Sequence, residues 1–320
     1  MTLTSFLKLV EIQTKVASVF PFLLGTVYTF YRFETFNPVN FLLMFISLIS
    51  IDMATTAINN YFDYKRAKKK HGFNYESHNA IVKYGLKEHT VLVVIGSLLM
   101  TAIVFGTMLY IRTNIIVLLL GAISFVAGVM YSFGPVSISR TPLGEIFSGV
   151  FMGLIIVFIS IYIHIFNENI LTITYSNGLL NIGIGVKEIV YILLISIPPI
   201  LTVSNIMLAN NTCDIEDDIE NRRYTLPIYI GRSKALMLFR VLYYIVYIDI
   251  VLLIILRIEP IVSVIILFTL IPVNKNIARF FKKQTKKDTF VLAVKNFLLI
   301  NVTHVLALGI GAIIKLTKAL

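Results

Sequence analysis

The stretch from Asn210 to Pro227 reads NNTCDIEDDIENRRYTLP and directly follows a long apolar run. Five of the chain's 17 acidic residues stand between Asp214 and Glu220. A shorter version, NNYFD at Asn59 to Asp63, repeats the Asn-Asn-x-x-Asp spacing of Asn210 to Asp214 at the end of another apolar run. Two such motifs, each at the end of an apolar helix, indicate one divalent-metal site assembled from two halves.

The composition excludes an ordinary soluble protein. Of 320 residues, 57% are hydrophobic and 14% are charged, and the mean hydropathy is +0.85. Several apolar runs reach the roughly 20 residues that a helix needs to cross a bilayer, so the predicted class is all-α integral membrane. The lone cysteine, Cys213, excludes an intramolecular disulfide and a cysteine-built metal site. The distribution of the net charge of +11 favours membrane lipid as a partner and no nucleic acid.

Nine apolar runs predict nine transmembrane helices in a single domain over residues 1–320. They lie at approximately 14–32, 39–62, 90–111, 114–133, 143–166, 188–211, 235–256, 258–275 and 289–314. No small-residue cleavage site follows the first run, so we expect a retained span rather than a signal peptide. The two motifs close the second and sixth runs, which suggests two four-helix units, spans one to four and five to eight, plus a ninth helix.

Basic residues are concentrated in alternate connections between the predicted spans. Seven Lys and Arg lie between positions 63 and 89, six between 274 and 288, and four between 210 and 234, whereas the alternate connections hold one or none. By the positive-inside rule, this asymmetry predicts a multi-pass protein of the cell membrane whose N-terminus and two acidic motifs are cytoplasmic.

Some of the predicted spans contain proline or a carboxylate residue. Proline removes a backbone donor, so Pro21, Pro198 and Pro199 favour helix kinks. A kink that only improves packing and a kink that opens a substrate cavity are both consistent with the sequence. Asp52, in the second span, is interpreted as a cavity residue because an intramembrane carboxylate is costly unless it lines a polar cavity.

The metal-site prediction rests on a spacing of four residues, which places side chains on one helical face. This spacing relates the five predicted metal ligands Asn59, Asp63, Asn210, Asp214 and Asp218. Mg²⁺ prefers such oxygen ligands and bridges to substrate phosphates, so a Mg²⁺-bound diphosphate beside Arg222 and Arg223 is expected. For Glu216, Asp217 and Glu220, a solvated acidic loop is an equally good interpretation.

These residues carry a resemblance to a known family. NNTCDIEDDIENRRYTLP, at 210–227, resembles the second aspartate motif of UbiA-type membrane prenyltransferases, in the NNxRDxxxDxxxGKxTL form of the 1,4-dihydroxy-2-naphthoate polyprenyltransferase branch. NNYFDYKRAKKK, at 59–70, followed by AIVKYG, resembles the first motif. YSFGPVSISRTPLGEIFSGVFMG, from Tyr131 to Gly153, resembles the connection that follows the fourth span.

The resemblance implies a nine-helix UbiA-type bundle that binds a polyprenyl diphosphate through Mg²⁺. It implies departure of the diphosphate, attack of 1,4-dihydroxy-2-naphthoate on the allylic carbocation, and loss of CO₂ to give demethylmenaquinone. The implied catalytic residues are Asp63, Asp214, Asp218 and Tyr131, whose ring would face the carbocation. The implied diphosphate ligands are Lys15, Asn59, Lys65, Arg140, Asn210, Arg222 and Arg223.

The chain departs from the family pattern at several positions. Lys68–Lys70 replace an acidic residue of the first motif. In the second motif, Cys213 stands at the usual arginine, and Arg222 and Arg223 stand at the usual glycine and lysine. Glu11–Thr14 occupy the place of an Arg-Pro-x-Thr segment, and Lys15 follows as a replacement cation.

Two alternatives stay open at this point. In the first, the protein is a prenyltransferase of the same superfamily whose acceptor is 4-hydroxybenzoate, haem or another quinone precursor. In a different class, the protein is a cation-coupled transporter or channel. A channel is expected to place acidic groups along a transmembrane path, whereas both predicted clusters share one membrane face, which favours the enzyme.

Overall fold

The structure is a computed structural model that describes residues 1–66, 79–132 and 137–319. In these residues, eight helices are long and apolar enough to cross a membrane. They are Ile12–Phe33, Pro38–Lys65, Glu88–Arg112, Gly144–Ile165, Val186–Cys213, Arg232–Ile255, Ile261–Lys282 and Phe290–Lys318. A shorter apolar helix, Ile115–Tyr131, lies between the third and fourth of them. Counted with it, the described part of the chain has nine spans, which confirms the predicted all-α membrane architecture.

The helical hydrogen bonds refine these bounds and add short elements. The α-helices of the first, second, fourth and ninth spans are Val16–Phe33, Pro38–Arg66, Ile115–Ser132 and Phe290–Ala319. The fifth span is built from α-helix Gly144–Ser148, π-helix Gly149–Ile155 and α-helix Ile156–Ile165. The short α-helices are Leu3–Leu9, Ala80–Lys83, Ile215–Glu220 and Leu226–Ile230, and the 3₁₀ turns are Ile12–Thr14 and Ile138–Arg140.

The eighth span ends later than predicted, at Lys282 rather than near position 275. It begins as a 3₁₀-helix over Ile261–Thr269 and continues as an α-helix over Leu270–Lys282. The basic residues of its last turns suggested a connection, but Val273, Ile277 and Phe280 follow a helical spacing and are buried. The predicted boundary was wrong because this part of the helix is amphipathic, with its basic side chains on the exposed face.

A β-hairpin that the sequence analysis did not predict joins the fifth and sixth spans. Strand β1, Leu171–Ser176, pairs antiparallel with strand β2, Leu179–Ile184. Between them, Asn177 and Gly178 have φ angles of 52° and 78°. Asn-Gly is the preferred pair for a two-residue hairpin turn with positive φ, so this dipeptide was the available sequence signal.

The first span connects the two halves of the bundle. It packs against the fifth and ninth spans and buries Phe22, Leu24 and Tyr28 completely. The ninth span also packs against the sixth, and the second packs chiefly against the third. The two predicted four-helix units therefore meet at a core that the first, fifth, sixth and ninth spans share.

The fifth and sixth spans approach most closely where the sixth carries its two prolines. A Cβ on Gly153 would lie 2.4 Å from the Cα of Ile200, so only glycine fits at this crossing. The helix Val186–Cys213 continues through Pro198 and Pro199. The backbone of Pro199 lies at this crossing, so the second proline of the sixth span takes part in helix packing.

Ion pairs mark the two ends of the bundle. At one end, Lys65 pairs with Glu88 at 2.6 Å, Arg232 with Glu216 at 2.7 Å, and Lys286 with Asp214 at 2.7 Å. At the opposite end, Arg32 pairs with Glu188 at 2.7 Å and Lys315 with Glu34 at 2.8 Å. Because successive spans alternate in direction, the second and sixth spans both finish at the first of these ends, which we call the motif end.

Candidate functional site

Two side-chain oxygens of the second acidic motif contact the ammonium group of one lysine. The sixth span ends at Cys213, and the helix Ile215–Glu220 begins directly after Asp214. Asn210 Oδ1 and Asp214 Oδ2 both contact the Nζ atom of Lys286, which lies 2.7 Å from the carboxylate oxygen. The predicted four-residue spacing therefore does bring an amide oxygen and a carboxylate oxygen onto one cation.

Asp218 lies beside this pair and is buried. Its Oδ2 accepts a hydrogen bond of 3.1 Å from the Thr225 hydroxyl, and Nε of Arg223 lies 3.3 Å from its Oδ1. Burial raises the pKa of the Asp218 carboxyl, the nearby charge of Asp214 adds to that rise, and Arg223 opposes it. A buried carboxyl next to a second carboxyl is stabilised in its charged form by additional positive charge, so Asn210, Asp214 and Asp218 fit a hard cation.

The other asparagine of the motif has a structural role. Asn211 is fully buried, and its Nδ2 donates a hydrogen bond of 2.8 Å to Oε1 of Glu145. Glu145 lies at the start of the fifth span, and its carbonyl accepts a hydrogen bond of 3.0 Å from the Ser204 hydroxyl. Glu145 was not among the predicted site residues, although a lone glutamate at the start of an apolar run was the signal for it.

The connection between the fourth and fifth spans meets the second motif. The backbone N–H of Tyr224 donates to the carbonyl of Arg140 at 3.0 Å. The Ser148 hydroxyl donates to the Tyr131 hydroxyl at 3.0 Å, which joins the end of the fourth span to the start of the fifth. The backbone of Arg140 therefore contacts the second motif, while the site roles of Arg140 and Tyr131 stay predictions.

Arg222 is exposed and occupies an unusual backbone conformation. Its φ angle is 53°, in the left-handed region that favours glycine. The family pattern has a glycine at this position, so the structure gives a physical reason for that preference. The next residue, Arg223, is less exposed and contacts Asp218, so the two arginines occupy different environments.

The first acidic motif presents a different set of contacts. Asn59 is exposed, and Asp63 is partly buried. Asn60 is buried and donates a hydrogen bond of 2.9 Å to the carbonyl of Leu9, so it anchors the N-terminal helix. Lys65 pairs with Glu88 at 2.6 Å. The positions of Lys68–Lys70 lie outside the described residues.

Lys15 and Asp52 form a buried network between the first two spans. Nζ of Lys15 lies 2.6 Å from Asp52 Oδ1, 3.0 Å from the Asp52 carbonyl and 2.6 Å from the Thr56 hydroxyl. The second oxygen of Asp52 accepts a hydrogen bond from Ser18. Asp52 is therefore surrounded by polar groups inside its span, and all three N–H donors of Lys15 are engaged within the protein.

The described residues do not join the two motifs into one carboxylate cluster. Across 1–66, 79–132 and 137–319, no three His, Cys, Asp or Glu side chains gather in an arrangement that could hold a metal ion. The second motif brings together Asn210, Asp214, Asp218 and Lys286 at the motif end. The metal site, in the half formed by Asn59 and Asp63 as in the half formed by Asn210, Asp214 and Asp218, stays a prediction.

The comparisons with known proteins agree with this architecture. The family model described as the UbiA prenyltransferase family matches residues 18–302. The chain is 32% identical over 242 residues to the 1,4-dihydroxy-2-naphthoate octaprenyltransferase of Bacillus subtilis (strain 168), covering 75% of this chain and 70% of that protein. It is 24% identical over 240 residues to UbiA prenyltransferase domain-containing protein 1 of Dictyostelium discoideum, covering 72% of this chain and 65% of that protein.

Solved structures show the same fold. The apo structure of a UbiA homologue from Aeropyrum pernix K1 has a TM-score of 0.67 at 16% identity, covering 93% of this chain and 98% of that one. A UbiA homologue from Archaeoglobus fulgidus, bound to GPP and Mg²⁺, has a TM-score of 0.66 at 14% identity, covering 96% of this chain and 99% of that one. With a family model spanning most of the sequence and a fold shared with these homologues, the chain belongs to the UbiA prenyltransferase family.

Proposed function

We propose that this protein transfers a polyprenyl group from an isoprenoid diphosphate to 1,4-dihydroxy-2-naphthoate, with decarboxylation, to give demethylmenaquinone. The observation that carries the proposal is the convergence of Asn210 and Asp214 on one cation at the end of the sixth span, with Asp218 buried beside them. The Bacillus subtilis relative, named for the same acceptor, supports the choice of dihydroxynaphthoate.

The donor set supports Mg²⁺ as the metal. Asn210, Asp214 and Asp218 would hold it in the second motif, and Asn59 and Asp63 would contribute from the first. When bound, Mg²⁺ would supply positive charge to the diphosphate leaving group. The carboxylate and amide oxygens match the hard-cation preference, and the homologue from Archaeoglobus fulgidus binds Mg²⁺ together with GPP.

The protein's own residues position and shield the substrates. Arg223 is held beside Asp218 and, with Arg140, Arg222 and Lys65, is proposed to bind the diphosphate at the motif end. Tyr131, oriented by its hydrogen bond with Ser148, is proposed to face the allylic carbocation with its ring. The surrounding apolar spans exclude water, which would otherwise capture the cation.

The charge distribution supports an orientation for the enzyme. We propose that it lies in the cell membrane with its N-terminus and the motif end in the cytoplasm, because the basic connections all lie at that end. We also propose that residues 1–320 form one prenyltransferase domain. The match of the family model to residues 18–302 supports this assignment.

The experiment that tests the function uses two matched variants of one short acidic segment. Purified protein is assayed with an allylic diphosphate, Mg²⁺ and dihydroxynaphthoate, and in parallel with 4-hydroxybenzoate and haem as acceptors. Asp214→Asn is expected to lower turnover by about 100-fold or more, because it removes a metal-binding charge. Asp217→Asn makes the same change at an exposed neighbour and is expected to retain turnover.

Three outcomes would count against this function. Product with another acceptor alone would reassign the substrate within the family. Equal turnover in Asp214→Asn and wild type, with both proteins folded, would remove the metal role. Cation flux in liposomes without any prenylated product would support the transporter or channel instead.

A further inference from the structure

Lys286 occupies the position that the second motif offers to a cation. Its Nζ contacts Asn210 Oδ1 and Asp214 Oδ2, although it stands 76 positions from Asn210 in the chain. These two oxygens are the ones that the proposed function assigns to Mg²⁺. An ammonium group and a metal ion cannot both occupy the space between them, so the side chain must move when the metal enters.

The connection that carries Lys286 is ordered around its neighbours. The backbone N–H of Thr285 donates to the Thr289 hydroxyl at 2.9 Å. Lys283 pairs with Asp288 at 2.9 Å. The backbone of Lys286 is therefore held by local contacts on both sides, while its side chain is long and 40% exposed. The held backbone limits how far the ammonium group can extend, while the exposed side chain leaves that group able to move within this distance.

An aromatic ring borders the ammonium group in the position that it already holds. Nζ of Lys286 is 5.6 Å from the centre of the Phe290 ring, at the start of the ninth span. An aromatic face stabilises a cation at this distance. On leaving Asp214, the ammonium group can stay at the motif end, close to where the metal-bound diphosphate is proposed to lie.

We propose that Lys286 is a tethered cation that hydrogen-bonds to Asn210 and neutralises Asp214 when no metal is bound, yields both oxygens to the metal, and then binds the oxygens of the diphosphate. This inference rests on the proposed function of the second motif. It makes Lys286 a substrate-binding residue supplied by the connection before the ninth span. Its two roles predict opposite effects of one substitution, on metal binding and on diphosphate binding.

The test measures binding rather than turnover. Mn²⁺ binding to purified protein is followed by electron paramagnetic resonance without substrate, and inorganic diphosphate binding is then measured at saturating Mn²⁺. Lys286→Met is expected to tighten Mn²⁺ binding about 2- to 5-fold, the equivalent of losing a partly exposed ion pair that competes with the metal. It is expected to weaken diphosphate binding about 10-fold through loss of a charged hydrogen bond.

Lys287→Met is the matched control. Lys287 is exposed in the same connection, and its loss makes the same change in net charge. It is expected to leave both affinities at the wild-type values. Equal changes of the two affinities in Lys286→Met and Lys287→Met would show that the effect comes from the change in net charge alone, and would overturn the proposal.

Asp214→Asn separates this inference from the function on which it rests. If wild type binds Mn²⁺, Asp214→Asn does not, and Lys286→Met binds it with unchanged or lower affinity, the metal site stands and the tethered-cation role is overturned. If wild type binds no Mn²⁺, or Asp214→Asn binds it as tightly as wild type, the metal site and the tethered-cation role are overturned together.

Discussion

The buried Nδ2 of Asn211 lies 2.8 Å from Oε1 of Glu145, and this hydrogen bond joins the end of the sixth span to the start of the fifth. The second oxygen of Glu145 has no hydrogen-bond partner within the described residues. The contact therefore provides a hydrogen-bond donor to one of the two oxygens of this buried carboxylate, which lies directly behind the second motif. Its loss should loosen the framework that holds Asn210 and Asp214.

Asn211→Ala is expected to destabilise the protein by about 2–3 kcal/mol, because it leaves a buried carboxylate without its donor. Glu145→Gln keeps an acceptor for Asn211, removes a buried charge, and is expected to be as stable as wild type or more so. Cys213, the only thiol in the chain, lies within the second motif and is partly buried, so a thiol-reactive dye reports thermal unfolding in detergent. If Asn211→Ala unfolded at the same temperature as the wild-type protein, this role would be contradicted.

The Lys15–Asp52 pair should behave as a coupled unit. Lys15→Met and Asp52→Leu each leave one buried charge without its partner, and each is expected to cost about 3–5 kcal/mol. The double variant replaces both charges by apolar groups and is expected to recover most of the lost stability. The thiol-dye assay on all four proteins gives the coupling free energy.

Prenyl transfer by the double variant decides between two roles of Lys15. If its only role is to pair with Asp52, the double variant should recover turnover together with stability. A stable double variant with weakened diphosphate binding would instead support the direct diphosphate contact that the family resemblance implies for Lys15.

Arg222 combines backbone strain with a predicted substrate role, and two substitutions separate them. Arg222→Gly is expected to stabilise the protein by about 1 kcal/mol, because glycine adopts a φ near 53° without strain. Arg222→Ala removes the side chain but keeps the strain, so it should not gain this stability. If the guanidinium binds diphosphate, both variants should raise KM for the isoprenoid substrate equally; a KM at the wild-type value in both would exclude that contact.

Helical spacing explains which site residues the sequence could reveal. Asn210 and Asp214 lie four positions apart at the end of the sixth span, so their shared face follows from local geometry alone, whereas Asp218 belongs to the next helix. Lys286 and Glu145 reach the same motif from 76 and 66 positions away, and these contacts depend on how the spans pack. No local pattern encodes them.

The same distinction applies to the fold. The nine spans were predictable because each must be long and apolar to cross the bilayer. The pairing of Lys15 with Asp52 was not predictable, although each residue was singled out separately. This contact depends on how the first and second spans pack against each other. The late end of the eighth span was missed because basic residues on one face of a helix resemble a basic loop when only their number is counted.

The β-hairpin between the fifth and sixth spans is expected to lie against the lipid interface. Its cross-strand pairs place apolar side chains on one face, and those pairs are Leu171 with Ile184, Ile173 with Ile182, and Tyr175 with Leu180. Tyr175 and Leu180 are 75% and 62% exposed. At the base of strand β1, Leu171 and Ile173 pack against a cluster that contains Ile116 and Val117 of the fourth span. An isolated two-stranded hairpin is only marginally stable in water, and contact with lipid would cover its apolar face.

The absence of tryptophan from the chain makes this prediction directly measurable. Tyr175→Trp places a single indole on the apolar face, and Thr174→Trp places it on the opposite face of the same strand, because successive side chains alternate. In liposomes, the fluorescence of the Tyr175→Trp variant should be blue-shifted and quenched by brominated lipids, because the indole lies among acyl chains. The fluorophore of the Thr174→Trp variant should remain accessible to aqueous iodide. Equal iodide quenching in the two variants would show that the hairpin stands in water, away from the bilayer.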